Sequence, residues 1–299
     1  MLAQSVYTLV NRHNGNLSFK VFEFDNNSYF DHIQRNNYFT LIIINSGEGV
    51  ATVDLSEYSF QENTLFAFYP YQPFMLQSKG PLIGVAIMFH HDFFCIYRHH
   101  KEIAANGILF NNIYQRPFIY LEEDSRKTLL NFVNEIVGEL KTEGLRRDEV
   151  IVSYLKIFLV LATRIKLEQQ TVQLAGDPAG KQLLVIQNLR NAIEENFRTM
   201  HSASDYAGML HLTPNSLARI TKTHFNKTLS DLIADRIIIE AKRELYLTEK
   251  TIKEIAYELG YDDEYYFSRF FKSKTDISPQ AYRDTVGFNR GAAGVVCAI

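Results

Sequence analysis

The feature that most constrains the fold of this chain is a helical pattern that occurs twice in its last third. Ala207 and Leu210 in the first copy correspond to Ala256 and Leu259 in the second. A small residue lets two helices cross closely, and the turn that follows favours a residue that accepts positive φ. Each copy therefore predicts a helix-turn-helix unit, and a long helix predicted over Leu229–Leu247 joins the two units.

Capping signals indicate where the helices of this region begin. Thr213 precedes Pro214 and Ser278 precedes Pro279, which is the pattern of an N-cap followed by proline at the first helical position. Thr251 opens a stretch with the spacing of a capping box. Together with the apolar periodicity, these signals predict a compact all-α domain. The predicted helices are Gln182–Asn196, Ala203–Leu210, Pro214–His224, Leu229–Leu247, Ile252–Leu259, Asp263–Lys274 and Pro279–Thr285.

Residues 1–120 have a different pattern, with short apolar or alternating runs separated by turn residues. Leu17–Phe24 alternates, Phe39–Ile44 is a continuous apolar run, and Asn45–Gly49 is a predicted turn. Strands this short and this regularly spaced are typical of a small barrel or jelly roll. The mouth of such a barrel can hold a small molecule.

Four residues of this region are the predicted lining of an effector site. The candidates are Arg35, Tyr38 and Tyr71, as polar groups that line a cavity, together with Phe74. The alternative interpretation is that they are ordinary surface or edge residues.

Helical periodicity begins again at residue 124. Leu129–Leu140 and Ile151–Ile165 each repeat apolar residues at helical spacing, which predicts an αα-hairpin over residues 124–168. The hairpin is either a dimer interface or a cover for its own barrel. Small residues around Gly176 and Gly180 predict a linker over residues 169–180.

The sequence offers little support for an enzyme or a metalloprotein. A metal-binding barrel needs ligands that converge from neighbouring strands, whereas His90–His91 is an adjacent pair whose side chains would point in opposite directions, with one ring in solvent. Cys95 and Cys297 lack metal-type spacing, and their scarcity fits a reducing cytoplasm. We therefore predict no catalytic residue, metal or cofactor, and no membrane-spanning segment. The net charge of -3 requires any nucleic-acid surface to be a local patch.

The second helix-turn-helix copy carries the string A-x-x-x-G-Y-x-x-x-x-Y-F-x-R-x-F-K. It is formed by Ala256, Gly260, Tyr261, Tyr266, Phe267, Arg269, Phe271 and Lys272, and Ser278-Pro279 and Tyr282-Arg283 follow it. This string resembles the C-terminal signature of the AraC/XylS family of bacterial transcriptional regulators. The resemblance implies a DNA-binding domain over residues 181–285 that places two recognition helices in successive major-groove segments. Residues 1–168 are similar, less specifically, to the cupin-like sensor and dimerisation domain of that family.

The resemblance also implies DNA contacts for individual residues. In the first unit it places Asn215, Ala218 and Arg219 at base edges and Lys222 at a phosphate. In the second unit Glu264, Tyr265 and Arg269 take the matching base positions, with Lys272 and Lys274 at the DNA backbone. An alternative for Arg219 and Arg269 is that they pair with acids on the connecting helix.

The second recognition helix begins with the acidic run Asp262–Glu264. These carboxylates would repel phosphate unless they cap the helix or accept hydrogen bonds from cytosine amino groups. We therefore expect the first unit to supply more of the direct base readout.

The resulting expectation is an α+β, two-domain protein. It has an N-terminal cupin-like β-barrel or jelly roll with an αα-hairpin, a C-terminal all-α domain with two helix-turn-helix units, and a disordered tail over residues 286–299. We expect a cytoplasmic, sequence-specific regulator that binds double-stranded promoter DNA and a small-molecule effector. We also expect it to form a homodimer through the hairpin and, if it is an activator, to contact RNA polymerase. The alternatives are a ligand-independent dimeric regulator and, more remotely, a cupin-type enzyme.

Overall fold

The computed structural model describes residues 5–11, 15–54, 56–96, 99, 108–110, 112–142, 144–175 and 180–286. The chain forms two compact units, the first built mainly from residues 1–170 and the second mainly from residue 171 onwards. The first unit is rich in antiparallel strands and the second is helical. The predicted fold class is therefore confirmed, while the exact domain boundaries stay a prediction.

The strands of the first unit belong to two antiparallel sheets. They are β1 (Val6–Val10), β2 (Leu17–Phe24), β3 (Phe39–Ser46), β4 (Gly49–Val53), β5 (Ser56–Phe60), β6 (Thr64–Phe68), β7 (Phe74–Gln77), β8 (Ile83–Phe89) and β9 (Phe118–Tyr120). Within the described residues, one sheet has the order β1-β2-β8-β3-β6-β9 and the other has the order β5-β4-β7. The strands thus form two facing sheets, as in a jelly roll, and do not close into a single barrel.

The larger sheet is buried on both faces, which explains the continuous apolar run in β3. Ile42 and Ile44 point into a core shared with the smaller sheet, where many of the side chains are phenylalanine. Leu41 and Ile43 point into a second core on the opposite face. A strand covered on both sides needs apolar residues at every position, so alternation is lost.

Two helices cover the outer face of the larger sheet. They are α1 (Glu123–Leu140) and α2 (Arg147–Ala175), which form the predicted hairpin. Leu129, Leu155 and Phe158 are fully buried in the core they share with the sheet. The hairpin therefore packs on its own sheet, and its proposed role in dimerisation stays a prediction.

Helix α2 continues to Ala175, seven residues beyond the predicted end of the hairpin at residue 168. The segment from Gln169 to Leu174 contains neither glycine nor proline, so nothing in it interrupts the helix. The linker predicted over residues 169–180 is therefore wrong for residues 169–175, and helix α3 begins at Gly180. The intervening residues 176–179 lie outside the described residues.

The second unit consists of short helices whose bounds agree with the predicted ones within two residues. They are α3 (Gly180–Asn196), α4 (Ala203–Met209), α5 (Pro214–Phe225), α6 (Leu229–Leu247), α7 (Ile252–Glu258), α8 (Glu264–Thr275) and α9 (Pro279–Val286). The predicted tail lies outside the described residues after Val286. In the part of the chain that the structure describes, no helix is long and apolar enough to cross a bilayer.

Candidate DNA-binding site

The two helix-turn-helix units have turns with the same hydrogen bonds. The backbone N–H of Leu212 donates to the carbonyl of Ala207, and that of Tyr261 donates to the carbonyl of Ala256, both at 2.9 Å. The turn residue has positive φ in each unit, 53° at His211 and 79° at Gly260. This is the hydrogen bond of a Schellman-type helix end, and it shows that the sequence repeat is also a structural repeat.

The first recognition helix is α5. The side chain of Thr213 caps it by accepting a hydrogen bond from the backbone N–H of Ser216 at 3.2 Å. One face of the helix packs inward through Leu217, Thr221 and Phe225. Residues at helical spacing on the other face are exposed, and they include all four candidates: Asn215, Ala218, Arg219 and Lys222.

The second recognition helix is α8, and an acid caps it. The Asp263 carboxylate accepts hydrogen bonds from the backbone N–H groups of Tyr265 at 2.6 Å and Tyr266 at 3.0 Å. Asp263 therefore stabilises the helix start, as one of the two explanations for the acidic run predicted. Asp262 beside it is exposed.

The face of α8 opposite Phe267 and Phe271 carries the second set of candidates. Tyr265 is 76% exposed, and Arg269 and Lys272 are exposed as well. Glu264 is half-buried. The residues predicted to contact DNA therefore lie on the surface of the recognition helix of their own unit. Lys274 differs from them and is described below.

The arginines of both recognition helices are available for a ligand. Within the described residues, Arg219 and Arg269 have no hydrogen-bond or ion-pair partner on the protein. The alternative in which they pair with acids on the connecting helix is therefore wrong. An exposed guanidinium without a protein partner can donate to phosphate oxygens or to guanine.

The acids of the connecting helix α6 are already occupied by other cations. Glu240 is buried and accepts hydrogen bonds from Arg198 at 2.6 Å, Arg236 at 3.1 Å and Arg243 at 2.9 Å. Burial acts to raise the pKa of Glu240, but hydrogen bonds and charges from Arg243 and Arg236 outweigh it and lower the pKa. Glu244 pairs in the same way with Lys250 at 3.0 Å.

Lys274 differs from the other candidate lysines. Its Nζ atom lies 3.1 Å from Oδ1 of Asp231 on α6, whereas Lys222 and Lys272 have no ion-pair partner among the described residues. A contact from Lys274 to a DNA phosphate would therefore compete with an existing ion pair.

The sequence interpretation missed Tyr266, which is 58% exposed beside Tyr265. The signature string contains it next to buried Phe267, and no DNA contact was predicted for it. Helical spacing is the signal that could have found it, because Tyr266 lies three residues before exposed Arg269.

The predicted effector residues lie on two adjacent segments of the strand-rich N-terminal unit. Gln34 and Phe74 exchange backbone hydrogen bonds, and the backbone N–H of Tyr71 donates to the carbonyl of Asn36 at 2.7 Å. These bonds bring the segment that holds Arg35 next to the segment that holds Tyr71 and Phe74.

The four side chains have different environments. Phe74 is 3% exposed and stacks on Phe68 with ring centroids 3.8 Å apart, so its ring fills the space between the sheets. Tyr38 donates its hydroxyl to the carbonyl of Leu17 at 2.9 Å, and burial raises its pKa. Arg35 and Tyr71 are half-buried.

The predicted solvent exposure of one ring in the His90–His91 pair is wrong. Both residues are buried, with His91 against the ring of Phe39 at 4.7 Å and His90 against Tyr38 at 5.7 Å. The chain turns after β8 ends at Phe89, so the two side chains do not follow strand alternation. Across the residues that the structure describes, no three histidine, cysteine or acidic side chains form a group that could hold a metal ion.

Comparison with known proteins identifies the helical unit. A family model described as a helix-turn-helix domain matches residues 206–285, which include both recognition helices. The regulatory protein SoxS of Escherichia coli (strain K12) is 40% identical over 67 residues, which are 22% of this chain and 63% of SoxS. The C-terminal region is an AraC-type helix-turn-helix domain. Residues 206–285 therefore belong to a helix-turn-helix domain of the kind found in transcriptional regulators.

Two further similarities extend beyond the AraC-type domain. YfiF of Bacillus subtilis (strain 168), an uncharacterized HTH-type transcriptional regulator, is 23% identical over 267 residues, covering 86% of this chain and 80% of YfiF. The structure of ToxT from Vibrio cholerae matches 94% of this chain and 97% of ToxT at 19% identity, with a TM-score of 0.39.

Proposed function

We propose that this chain is a sequence-specific regulator whose two recognition helices read adjacent segments of one promoter site. The observation that carries the proposal is the pair of exposed faces on α5 and α8, each with an arginine that has no protein partner among the described residues. Arginine at a recognition-helix surface suits bidentate contact with guanine, and the neighbouring Lys222 and Lys272 suit phosphate.

Selection of binding sites from random DNA tests this proposal. The purified full chain should enrich a motif with two parts, one for each recognition helix. The double variant Arg219→Ala/Arg269→Ala should bind selected and random DNA with similar affinity, because it retains the lysines but lacks the base-reading arginines. A matched control is Arg146→Ala/Arg147→Ala, which removes the same charge from the strand-rich N-terminal unit. Preferential binding of the selected motif by the Arg219→Ala/Arg269→Ala variant would contradict the proposal.

We further propose that a small-molecule effector bound to the strand-rich N-terminal unit, residues 1–170, controls DNA binding. The support is the backbone pairing of the segment that holds Arg35 with the segment that holds Tyr71 and Phe74, because Phe74 belongs to the apolar core between the sheets. An effector can act only if it binds the DNA-competent and incompetent arrangements with different affinity. Thermal-shift screening of the full chain against sugars, organic acids and lipids should yield a compound whose effect is reduced by Arg35→Ala. The protein would act in the cytoplasm as a homodimer and, as an activator, would contact RNA polymerase.

A second candidate is a ligand-independent regulator whose strand-rich N-terminal unit only dimerises. The observation that favours it is the aromatic filling between the sheets, in which Phe74 stacks on Phe68 at 3.8 Å. The hairpin exposes Leu145 and Ile157, which are available for a partner chain. Under this candidate no compound shifts the melting temperature, while Ile157→Asp converts a dimer to a monomer in light scattering and weakens DNA binding. A monomeric wild-type chain would exclude it.

A further inference from the structure

The C-terminal ends of both recognition helices are tied to the first two turns of α6. Lys274, in the last turn of α8, has its Nζ 3.1 Å from Oδ1 of Asp231. Lys227 follows Asn226, the C-terminal cap of α5, and its Nζ lies 2.7 Å from Oδ2 of Asp235. Asp231 and Asp235 are four residues apart, so they lie on the same side of α6.

Both ion pairs are shielded from solvent, although to different degrees. The side chains of Lys227 and Asp235 are 11% and 12% exposed, and those of Lys274 and Asp231 are each 28% exposed. Partly buried pairs are screened less by salt than fully exposed ones. Salt therefore weakens the ion pair between α8 and α6 more than it weakens the pair between Lys227 and Asp235.

Asp231 is fixed by a second hydrogen bond. Its Oδ2 accepts from the hydroxyl of Thr228, the N-cap of α6, at 2.6 Å. Burial acts to raise the pKa of Asp231, but hydrogen bonds from Thr228 and Lys274, with the charges of Lys274 and Lys227, lower it overall. The carboxylate is thus oriented toward Lys274 from a helix start that directly follows the first recognition helix.

We propose that Asp231 and Lys274 are positioning residues that set the spacing between the two half-sites read by α5 and α8. This inference rests on the proposed function, since it requires that both helices read DNA. Successive major-groove faces lie about 34–36 Å apart, or about 10 base pairs, so each added base pair changes both the distance and the angle between half-sites. A tie between α8 and the start of α6 restrains both quantities.

The competing role for Lys274 is the phosphate contact that the family resemblance implies. The two roles predict different effects for Asp231→Asn. If Lys274 is a phosphate ligand, removing the carboxylate frees the lysine and removes a negative charge, so DNA binding strengthens. If the pair positions α8, Asp231→Asn relaxes the spacing preference in the same way as Lys274→Met.

The experiment measures binding of the full chain to a set of DNA duplexes. Each duplex carries the two half-sites selected by the wild-type chain, separated by spacers that differ by one base pair. Lys274→Met and Asp231→Asn should each reduce the preference for the best spacer over its neighbours by about two- to fivefold, the range of a partly exposed ion pair. Lys274→Arg keeps a cation and should retain the preference. Lys222→Ala is the control, and it should weaken binding equally at every spacing.

Two results would overturn the proposal. One is an unchanged spacing preference in both Lys274→Met and Asp231→Asn. The other is tighter binding by Asp231→Asn at every spacing together with a smaller salt dependence in Lys274→Met, which would make Lys274 a phosphate ligand. Circular dichroism checks that each variant is folded. A wild-type chain that selects no DNA motif contradicts the proposed function as well, which distinguishes that failure from a failure of the positioning role.

Discussion

The two helix-turn-helix units have the same turn geometry but different surroundings. His211 in the first turn is exposed, whereas a Cβ atom added to Gly260 in the second would lie 2.1 Å from the carbonyl oxygen of Arg198. The first turn thus needs only a residue that tolerates positive φ, while the second also needs one without a side chain. In the first turn the residue type is therefore restricted by backbone conformation alone, and in the second it is also restricted by close packing.

The recognition helices differ in chemistry as well. Helix α5 packs through Leu217, Thr221 and Phe225, and its exposed face has no acid. Helix α8 packs through two phenylalanines, exposes Tyr265 and Tyr266, and begins beside two acids. This difference suggests that α5 contributes more to base recognition and α8 more to placement on the DNA.

The largest expected effect tests the two turns. Gly260→Ala should destabilise the AraC-type domain by at least about 2 kcal/mol, because it combines a strained φ with a clash against the Arg198 carbonyl. His211→Gly should change stability by less than about 1 kcal/mol, since the first turn is open. Urea unfolding followed by circular dichroism measures both. Equal effects at the two positions would show that the turns are equivalent.

The next effect compares the two arginines. Arg219→Ala should cost about 1–3 kcal/mol at one base position and relax specificity there. Arg269→Ala should cost less and lower the affinity for specific and random DNA more evenly, if α8 mainly positions the protein. Binding assays with single-base variants of the selected site measure this. A larger loss of specificity from Arg269→Ala would reverse the assignment.

The helix caps give a smaller effect. Asp263→Ala removes an acceptor for two backbone N–H groups and should destabilise the domain by about 1 kcal/mol. Thr213→Ala removes an acceptor for one such group and should cost somewhat less. Asp263→Asn retains the capping oxygen and serves as the control in the same thermal unfolding assay. A loss in Asp263→Asn equal to that in Asp263→Ala would show that charge, and not capping, is what matters.

The smallest effect concerns the exposed acid beside the cap. Asp262→Asn should strengthen DNA binding by about twofold at low salt and by less at high salt, because the removed repulsion is screened. Fluorescence anisotropy at two salt concentrations measures it. Weaker binding would indicate that Asp262 accepts a hydrogen bond from a cytosine amino group.

Much of the helical domain could be predicted because its signals are local. Thr213, Thr251 and Ser278 mark helix starts through hydrogen bonds formed within three residues, and Asn226 and Asp276 end helices in the left-handed conformation. Such signals depend little on the rest of the fold. The candidates on α5 came from the family resemblance, and their shared exposure agrees with helical spacing.

Contacts between residues far apart in the chain could not be predicted from the sequence. The pairing of Lys274 with Asp231 joins residues 43 positions apart, and no local pattern indicates it. The burial of Phe74 against Phe68 likewise depends on how two sheets face each other. Strands β1, β5 and β9 lie at sheet edges and are at most five residues long, so they leave little periodic pattern in the sequence.

Helix α3 and the residues just after it make ion pairs with α6. Arg236 on α6 bonds to Glu194 at 2.8 Å, and Arg198 bonds to Glu240 at 2.6 Å, next to the carbonyl that touches the second turn. Separating α3 and the residues after it from α6 would therefore break both ion pairs and expose the buried carboxylate of Glu240. In native-state hydrogen exchange, the core amides of both units should consequently exchange through one shared opening, with a single protection free energy.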